Sequence, residues 1–62
     1  MDKLFTVREA AELLRISEST LNRMFAKKEI GRVKVAGRVM LSETHIQEYI
    51  TQNTINADIQ AP

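Results

Sequence analysis

Residues 6–25, TVREAAELLRISESTLNRMF, contain two helix-start signals in close succession. Thr6 is followed three residues later by Glu9, the pattern of a capping box, in which the hydroxyl accepts an amide hydrogen bond and the carboxylate reaches back to the cap. Ser17 has the side chain preferred at a second N-cap. The spacing predicts two short helices joined by a turn of about three residues at 15–17.

The apolar residues of both segments recur at helical spacing, so each segment has one face suited to burial. The first buried arc is expected to comprise Val7, Ala10, Ala11, Leu13 and Leu14. The second is expected to comprise Leu21, Met24, Phe25 and the aliphatic stem of Lys28 in a helix over 18–28. On the first helix, Arg8 and Glu12 remain toward solvent as an i, i+4 pair. On the second, Asn22 and Arg23 lie on the exposed side.

After Gly31 the apolar period changes from helical to alternating, which is typical of strands. Two alternating runs flank Ala36-Gly37, so a short β-hairpin is expected, with Gly37 at a positive φ and Arg38 at the tip. Ser42 is a third N-cap candidate before a closing helix over 43–52. Its expected buried residues are Ile46, Tyr49 and Ile50.

Positive charge is concentrated in the same part of the chain. Seven of the nine Lys and Arg residues lie between Arg15 and Arg38, with only two acidic residues, so this stretch has a net charge of +5 whereas the whole chain has +1. From Val39 to Pro62 there is no Lys or Arg. Such an asymmetry indicates a surface that faces a polyanion.

Length and composition restrict the possible classes of protein. Sixty-two residues form one small domain, which buries only ~60% of the surface of its unfolded chain. We expect this domain over 1–52 and a frayed tail over 53–62. The absence of cysteine excludes disulfides and thiolate metal ligands. No apolar run approaches the roughly 20 residues that span a bilayer, so a cytoplasmic protein without membrane contact is expected.

Two short helices separated by a tight turn form a helix-turn-helix, whose second helix normally lies in the major groove of DNA. Arg can donate two hydrogen bonds to guanine, and Asn can pair bidentately with adenine, so Arg23 and Asn22 are the expected base-reading residues. The full expected DNA-binding set is Ser17, Ser19, Thr20, Asn22, Arg23 and Lys27 on the second helix and Arg32, Lys34 and Arg38 on the hairpin.

Four segments together resemble the excisionase-type winged helix-turn-helix domains related to the MerR regulators. They are LFTVREAAELL (4–14), ISESTLNR (16–23), VKVAGR (33–38) and IQEYI (46–50). The resemblance implies a mostly α winged helix-turn-helix fold in the order helix-helix-hairpin-helix. It also implies a nucleoid-associated, bacterial or phage-encoded protein that binds double-stranded DNA as a phage or mobile-element excisionase (a recombination directionality factor) or as a small transcriptional regulator.

The same resemblance implies partners besides DNA. Excisionases of this type bind in several copies side by side on bent DNA, together with a recombinase or integrase. Two features depart from the family pattern. Arg15 occupies a turn position where such domains often have Gly, and the long dimerising helix of MerR regulators is missing, so a two-fold dimer is not expected.

Other interpretations of the residues predict different behaviour. The basic stretch can be a solvated surface without a binding role. Alternatively, the protein can be a non-catalytic adaptor whose basic face binds an acidic protein partner. Catalysis is not expected, because the serines serve as caps and the acidic groups do not converge. Neither a metal nor another cofactor is expected, since one His without Cys is too small a ligand set. That residue, His45, is expected to be exposed and without function.

Overall fold

The computed structural model describes residues 2–57, which form three helices and one three-stranded antiparallel sheet. The elements in chain order are β1 (Leu4–Thr6), α1 (Val7–Leu14), α2 (Glu18–Ala26), β2 (Val33–Val35), β3 (Arg38–Ser42) and α3 (Glu43–Gln52). The sheet order is β1-β3-β2. This is the expected winged helix-turn-helix architecture, with the β2–β3 hairpin and its loop at 36–37 as the wing.

All three expected N-caps are present, and each satisfies an amide that the first turn of its helix leaves without an intrahelical partner. The Thr6 hydroxyl accepts from the Glu9 amide at 3.1 Å, and the Glu9 carboxylate accepts from the Thr6 amide at 2.9 Å. The Ser17 hydroxyl accepts from the Thr20 amide at 3.0 Å. The hydroxyl of Ser42 caps α3 in the same way.

The turn between α1 and α2 depends on one residue in the left-handed region. Arg15 has φ 59° and ψ 43°, and it closes α1 by donating its amide to the Glu12 carbonyl at 3.2 Å. The next amide, of Ile16, reaches back to the Ala11 carbonyl at 3.0 Å. These two bonds form the common helix-ending motif whose left-handed position favours Gly. An Arg there costs about 1–2 kcal/mol of backbone strain.

The second helix is two residues shorter than expected. It ends at Ala26, because Lys28 takes the left-handed conformation at φ 58° and redirects the chain. The Glu29 amide then donates to the Met24 carbonyl at 2.9 Å, so this carbonyl in the last turn of α2 has a hydrogen-bond partner. The Lys28 side chain is exposed, so the expectation that its stem packs into the core was wrong.

Strand β1 was not expected from the sequence. It pairs antiparallel with β3 in the register Leu4 to Ser42, Phe5 to Leu41 and Thr6 to Met40. On its other edge β3 pairs with β2, with Lys34 opposite Val39. A strand of three residues is too short to show alternation, and its partners lie far away in the sequence.

The wing has the expected tight loop. Val35 pairs with Arg38, which leaves Ala36 and Gly37 as the loop, both at positive φ (51° and 79°). Positive φ at both central positions is what the favoured two-residue hairpin turn requires. The expected positive φ at Gly37 is confirmed, and Ala36 adopts it as well.

The hydrophobic core lies between the helices and the inner face of the sheet. Its buried residues are Ala10, Ala11, Leu21, Met24, Phe25, Ile30, Leu41 and Ile46. Two residues that the pattern assigned to buried arcs are exposed instead: Leu13 is 57% exposed and Ile50 is 43% exposed. Helical spacing gives the direction of a face but not its width, and the core of a domain this small covers only a narrow stripe.

His45 is half-buried, contrary to expectation, and it has structural contacts. Its Nδ1 accepts a hydrogen bond from the Ser42 amide at 3.2 Å, which completes a capping box at the start of α3. A Cβ placed on Gly31 would lie 2.6 Å from the His45 ring. The imidazole therefore occupies the space that Gly31 leaves, and it packs the segment before the wing against α3.

The start of the chain is also tied to α3. The Asp2 carboxylate accepts from the hydroxyl and the amide of Thr44, and these hydrogen bonds hold the pKa of Asp2 below its ordinary value. The Glu43 carboxylate accepts from the Lys3 amide at 3.0 Å. Strand β1 is thus anchored at both ends, by α3 before it and by α1 after it.

The proposed division into a domain over 1–52 and a tail over 53–62 remains a prediction. Helix α3 ends at Gln52, and residues 53–57 are exposed, with Ile55 at 95% exposure. Residues 58–62 of the expected tail lie outside the described part of the chain.

Candidate nucleic-acid interface

The outer face of α2 presents the side chains that the sequence pattern assigned to it. Leu21, Met24 and Phe25 turn the opposite face into the core. Asn22 and Arg23, which lie between these buried residues, are therefore directed to solvent, and both are exposed. This places an amide and a guanidinium side by side at the centre of an exposed helix, within reach of any duplex that the helix contacts.

The first turn of α2 also orients Arg23. The Arg23 guanidinium donates to the Thr20 hydroxyl oxygen at 3.2 Å, and the Ser17 hydroxyl donates to the same oxygen at 2.9 Å. Thr20 is half-exposed. Thr20 therefore acts as a positioning residue for Arg23, a role that the sequence pattern did not reveal although the two residues are one turn apart.

The other expected residues of α2 are placed at its two ends. Ser17 is the N-cap and Ser19 follows in the first turn, and both are exposed. Lys27 follows the last helical residue with an exposed side chain. Backbone amides at the start of a helix and a cation at its end are both suited to phosphate oxygens.

Arg32 connects the wing to α2. Its guanidinium lies 5.1 Å from the centroid of the Phe25 ring, within the range of a cation–π interaction. Phe25 belongs to the buried face of α2, so this contact fixes the base of the wing against that helix. This contact could not be predicted from the sequence, because Arg32 lies in a loop seven residues after Phe25 and outside the helical pattern.

Lys34 and Arg38 lie on opposite faces of the wing. Lys34 is directly opposite Val39, whereas Arg38 is opposite Val35, and successive residues of a strand point to opposite faces. Lys34 thus shares the face of the buried Leu41, and Arg38 shares the face of Met40. Both side chains are exposed. The wing therefore presents one cation to each side near its tip.

Few acidic groups neutralise these cations. Within residues 2–57 the one ion pair joins Arg8 Nε to the Glu12 carboxylate at 3.9 Å, and it lies on α1. The cations of α2 and the wing therefore have no carboxylate within ion-pair distance in the described structure. Their charge remains available to an external polyanion.

Over residues 2–57, no group of three or more His, Asp or Glu side chains is arranged to hold a metal ion. In that same range, none of the helices has the length and apolar character that crossing a membrane requires.

The chain is similar to a known protein family over most of its length. A family model described as a helix-turn-helix domain matches residues 4–54, which is most of the chain and includes α1, α2, the wing and α3. No curated protein and no solved structure matches. With the two capped helices, the tight turn and the exposed basic face already established, the match over this range shows that the chain belongs to the helix-turn-helix domain family, a family of DNA-binding proteins.

Proposed function

We propose that this protein binds double-stranded DNA with a preference for sequence, that α2 lies in the major groove and that the wing holds the adjacent backbone or minor groove. The observation that carries the proposal is the pair Asn22 and Arg23 at the centre of the exposed face of α2, with Arg23 held by Thr20. An α-helix fits the major groove, and these two side chains can form bidentate hydrogen bonds with adenine and guanine.

The remaining residues supply contacts to the sugar-phosphate backbone. In this proposal Ser17, Ser19, Thr20 and Lys27 lie along the phosphates that flank the major groove. The wing and the residue before it supply three further cations, Arg32, Lys34 and Arg38. Because Lys34 and Arg38 point to opposite faces, the wing can contact the phosphates of both strands when its tip enters a groove. Such contacts position a protein without reading sequence.

The biological role proposed here is that of a phage or mobile-element excisionase or of a small transcriptional regulator. A single module of this size buries only ~600–1,000 Å² on DNA. Tight binding then requires more than one copy of the protein. If the protein is an excisionase, we propose that several copies bind side by side and that a recombinase or integrase is a further partner. A regulator would present the same protein surface to DNA.

The second candidate function is a non-catalytic adaptor that binds an acidic protein through the same basic face. The net charge of +5 over residues 15–38 favours it as much as it favours DNA. The two functions differ in their dependence on the α2 side chains. An adaptor of this kind would bind DNA with little sequence preference and would tolerate the loss of Asn22 and Arg23.

Replacement of Arg23 and of Lys34 separates base reading from backbone binding. Arg23→Ala should remove discrimination at one base pair, worth roughly 1–3 kcal/mol. Lys34→Ala should weaken binding to every sequence about equally, because it removes a phosphate contact. The measurement is the affinity for a best-bound duplex and for duplexes that each carry one changed base pair.

The two variants are matched controls for one another, since each removes one exposed cation. If both weakened all duplexes alike, Arg23 would be a backbone contact and the proposed sequence reading would fail. If neither changed DNA binding while binding to an acidic protein was lost, the adaptor function would replace it.

A further inference from the structure

We infer that Arg8 and Arg38 together form an additional backbone phosphate site between the start of α1 and the wing. This inference rests on the proposed function, because the phosphate belongs to the same duplex that α2 and the wing contact. Arg8 lies outside the basic stretch, and the sequence pattern gave it no role beyond its pair with Glu12.

The sheet brings these two arginines to one place. Thr6 pairs with Met40 of β3, and α1 begins at the next residue, so the first turn of α1 is held beside the wing strand. A surface depression of about 340 Å³ lies at this junction. Its lining is Thr6, Val7, Arg8, Arg38, Val39 and Met40.

The lining of this depression suits a phosphate. Its lining residues include two arginines and no acidic residue. Guanidinium groups bind phosphate oxygens through paired hydrogen bonds, and their aliphatic stems can pack on apolar residues such as Val39 and Met40. The Glu9 carboxylate accepts from the Thr6 amide at 2.9 Å and so caps the start of α1, and the attraction for a phosphate therefore comes from the two arginines.

Arg8 is free to turn toward such a phosphate. Its ion pair with Glu12 spans 3.9 Å, and the two side chains are 78% and 71% exposed. An ion pair this exposed contributes little to stability, so its loss on DNA binding costs little. The duplex would then be held from three sides: α2 in the groove, Lys34 on one face of the wing, and Arg38 with Arg8 on the other.

The test is the salt dependence of DNA binding by Arg8→Gln, measured by fluorescence anisotropy with a labelled 20-base-pair duplex. Loss of one phosphate contact should reduce the slope of log affinity against log salt by about 0.9. At ~0.15 M salt the affinity should fall on the order of fivefold, for any duplex sequence. Circular dichroism and thermal melting should show that the variant remains folded. Arg8→Gln with Arg38→Gln should lose less than the product of the two single losses, because the two arginines hold one phosphate together and the loss of either already releases it.

Lys3→Gln is the matched control, because it removes the same charge from a residue whose ammonium lies over the Phe5 ring, outside the lining of the depression. Its slope should equal that of the wild type. If Arg8→Gln behaved like Lys3→Gln while Lys34→Ala still weakened binding, the Arg8 site would be refuted and the proposed function would stand. If the wild type showed no salt-dependent DNA binding, both would fail.

A free phosphate ion is the other possible source of the same chemistry. Inorganic phosphate at constant ionic strength should leave the melting temperatures of the wild type and of Arg8→Gln equally unchanged. A rise confined to the wild type, without an effect of Arg8→Gln on DNA affinity, would assign the depression to a small anion and overturn the inference.

Discussion

Leu21→Ala should unfold most of the protein at physiological temperature. Leu21 is fully buried in the core cluster, between the two helices and the sheet. Removing a buried Leu side chain costs about 2–5 kcal/mol, from lost burial and from the cavity left behind. A domain of this length has a total free energy of unfolding of roughly 3–9 kcal/mol, so one such cavity removes much or all of it. The measurement is thermal unfolding followed by circular dichroism.

Leu13→Ala is the matched control for this substitution. Leu13 is also a helix residue, but it is 57% exposed, so its replacement removes the same atoms from a site that opens no cavity. We expect a change within about 1 kcal/mol, because exposed positions away from special contacts are tolerant. A Leu21→Ala protein as stable as the wild type, or a Leu13→Ala protein equally unfolded, would mean that the helices expose faces other than those described.

DNA binding should weaken on the order of 500-fold between ~50 and ~200 mM salt. If about five phosphates are neutralised, the slope of log affinity against log salt is near −4.5, because each contact releases condensed counterions. The cations of α2 and the wing are exposed, and in the described structure none of them has a carboxylate within ion-pair distance. Affinity measured at five or more salt concentrations gives the slope directly.

The double variant Lys34→Ala with Arg38→Ala calibrates that slope. Two fewer phosphate contacts should reduce its magnitude to about 2.7. Both residues are exposed on the wing, so the fold should be retained. A flat response in the wild type would contradict electrostatic binding to DNA and would favour the adaptor function.

The elements that could be predicted from the sequence are those set by local chemistry. Three hydroxyl side chains, Thr6, Ser17 and Ser42, marked the starts of the helices, and each is an N-cap in the structure. The expected ends of α1 and α3 also agree with the structure. Gly37 marked the wing loop, because few other residues adopt a positive φ at low cost.

The features that escaped prediction depend on contacts distant in sequence or on strain. Strand β1 exists because β3 pairs with it. Helix α2 ends early because Lys28 adopts a left-handed conformation. At the end of a helix this conformation is usually found at Gly, so the sequence did not indicate it at a Lys. His45 is half-buried because Gly31, in the segment before the wing, leaves room for its ring. None of these causes produces a periodic pattern.

The candidate site divides in the same way. That Asn22 and Arg23 are exposed could be predicted, because they flank buried positions on a helix. The hydrogen bond that orients Arg23 and the stacking of Arg32 on Phe25 could not. Both contacts require side-chain conformations, which are decided by packing in three dimensions.

Selection of bound sequences from a random pool of double-stranded DNA tests the central claim most directly. If α2 reads the major groove, the wild type should enrich a short motif that includes a guanine and a nearby adenine, the partners of Arg23 and Asn22. A parallel selection with Arg23→Ala should lose the preference for the guanine and keep the rest. Sequences that emerge from the wild-type selection no different from the starting pool would contradict the account.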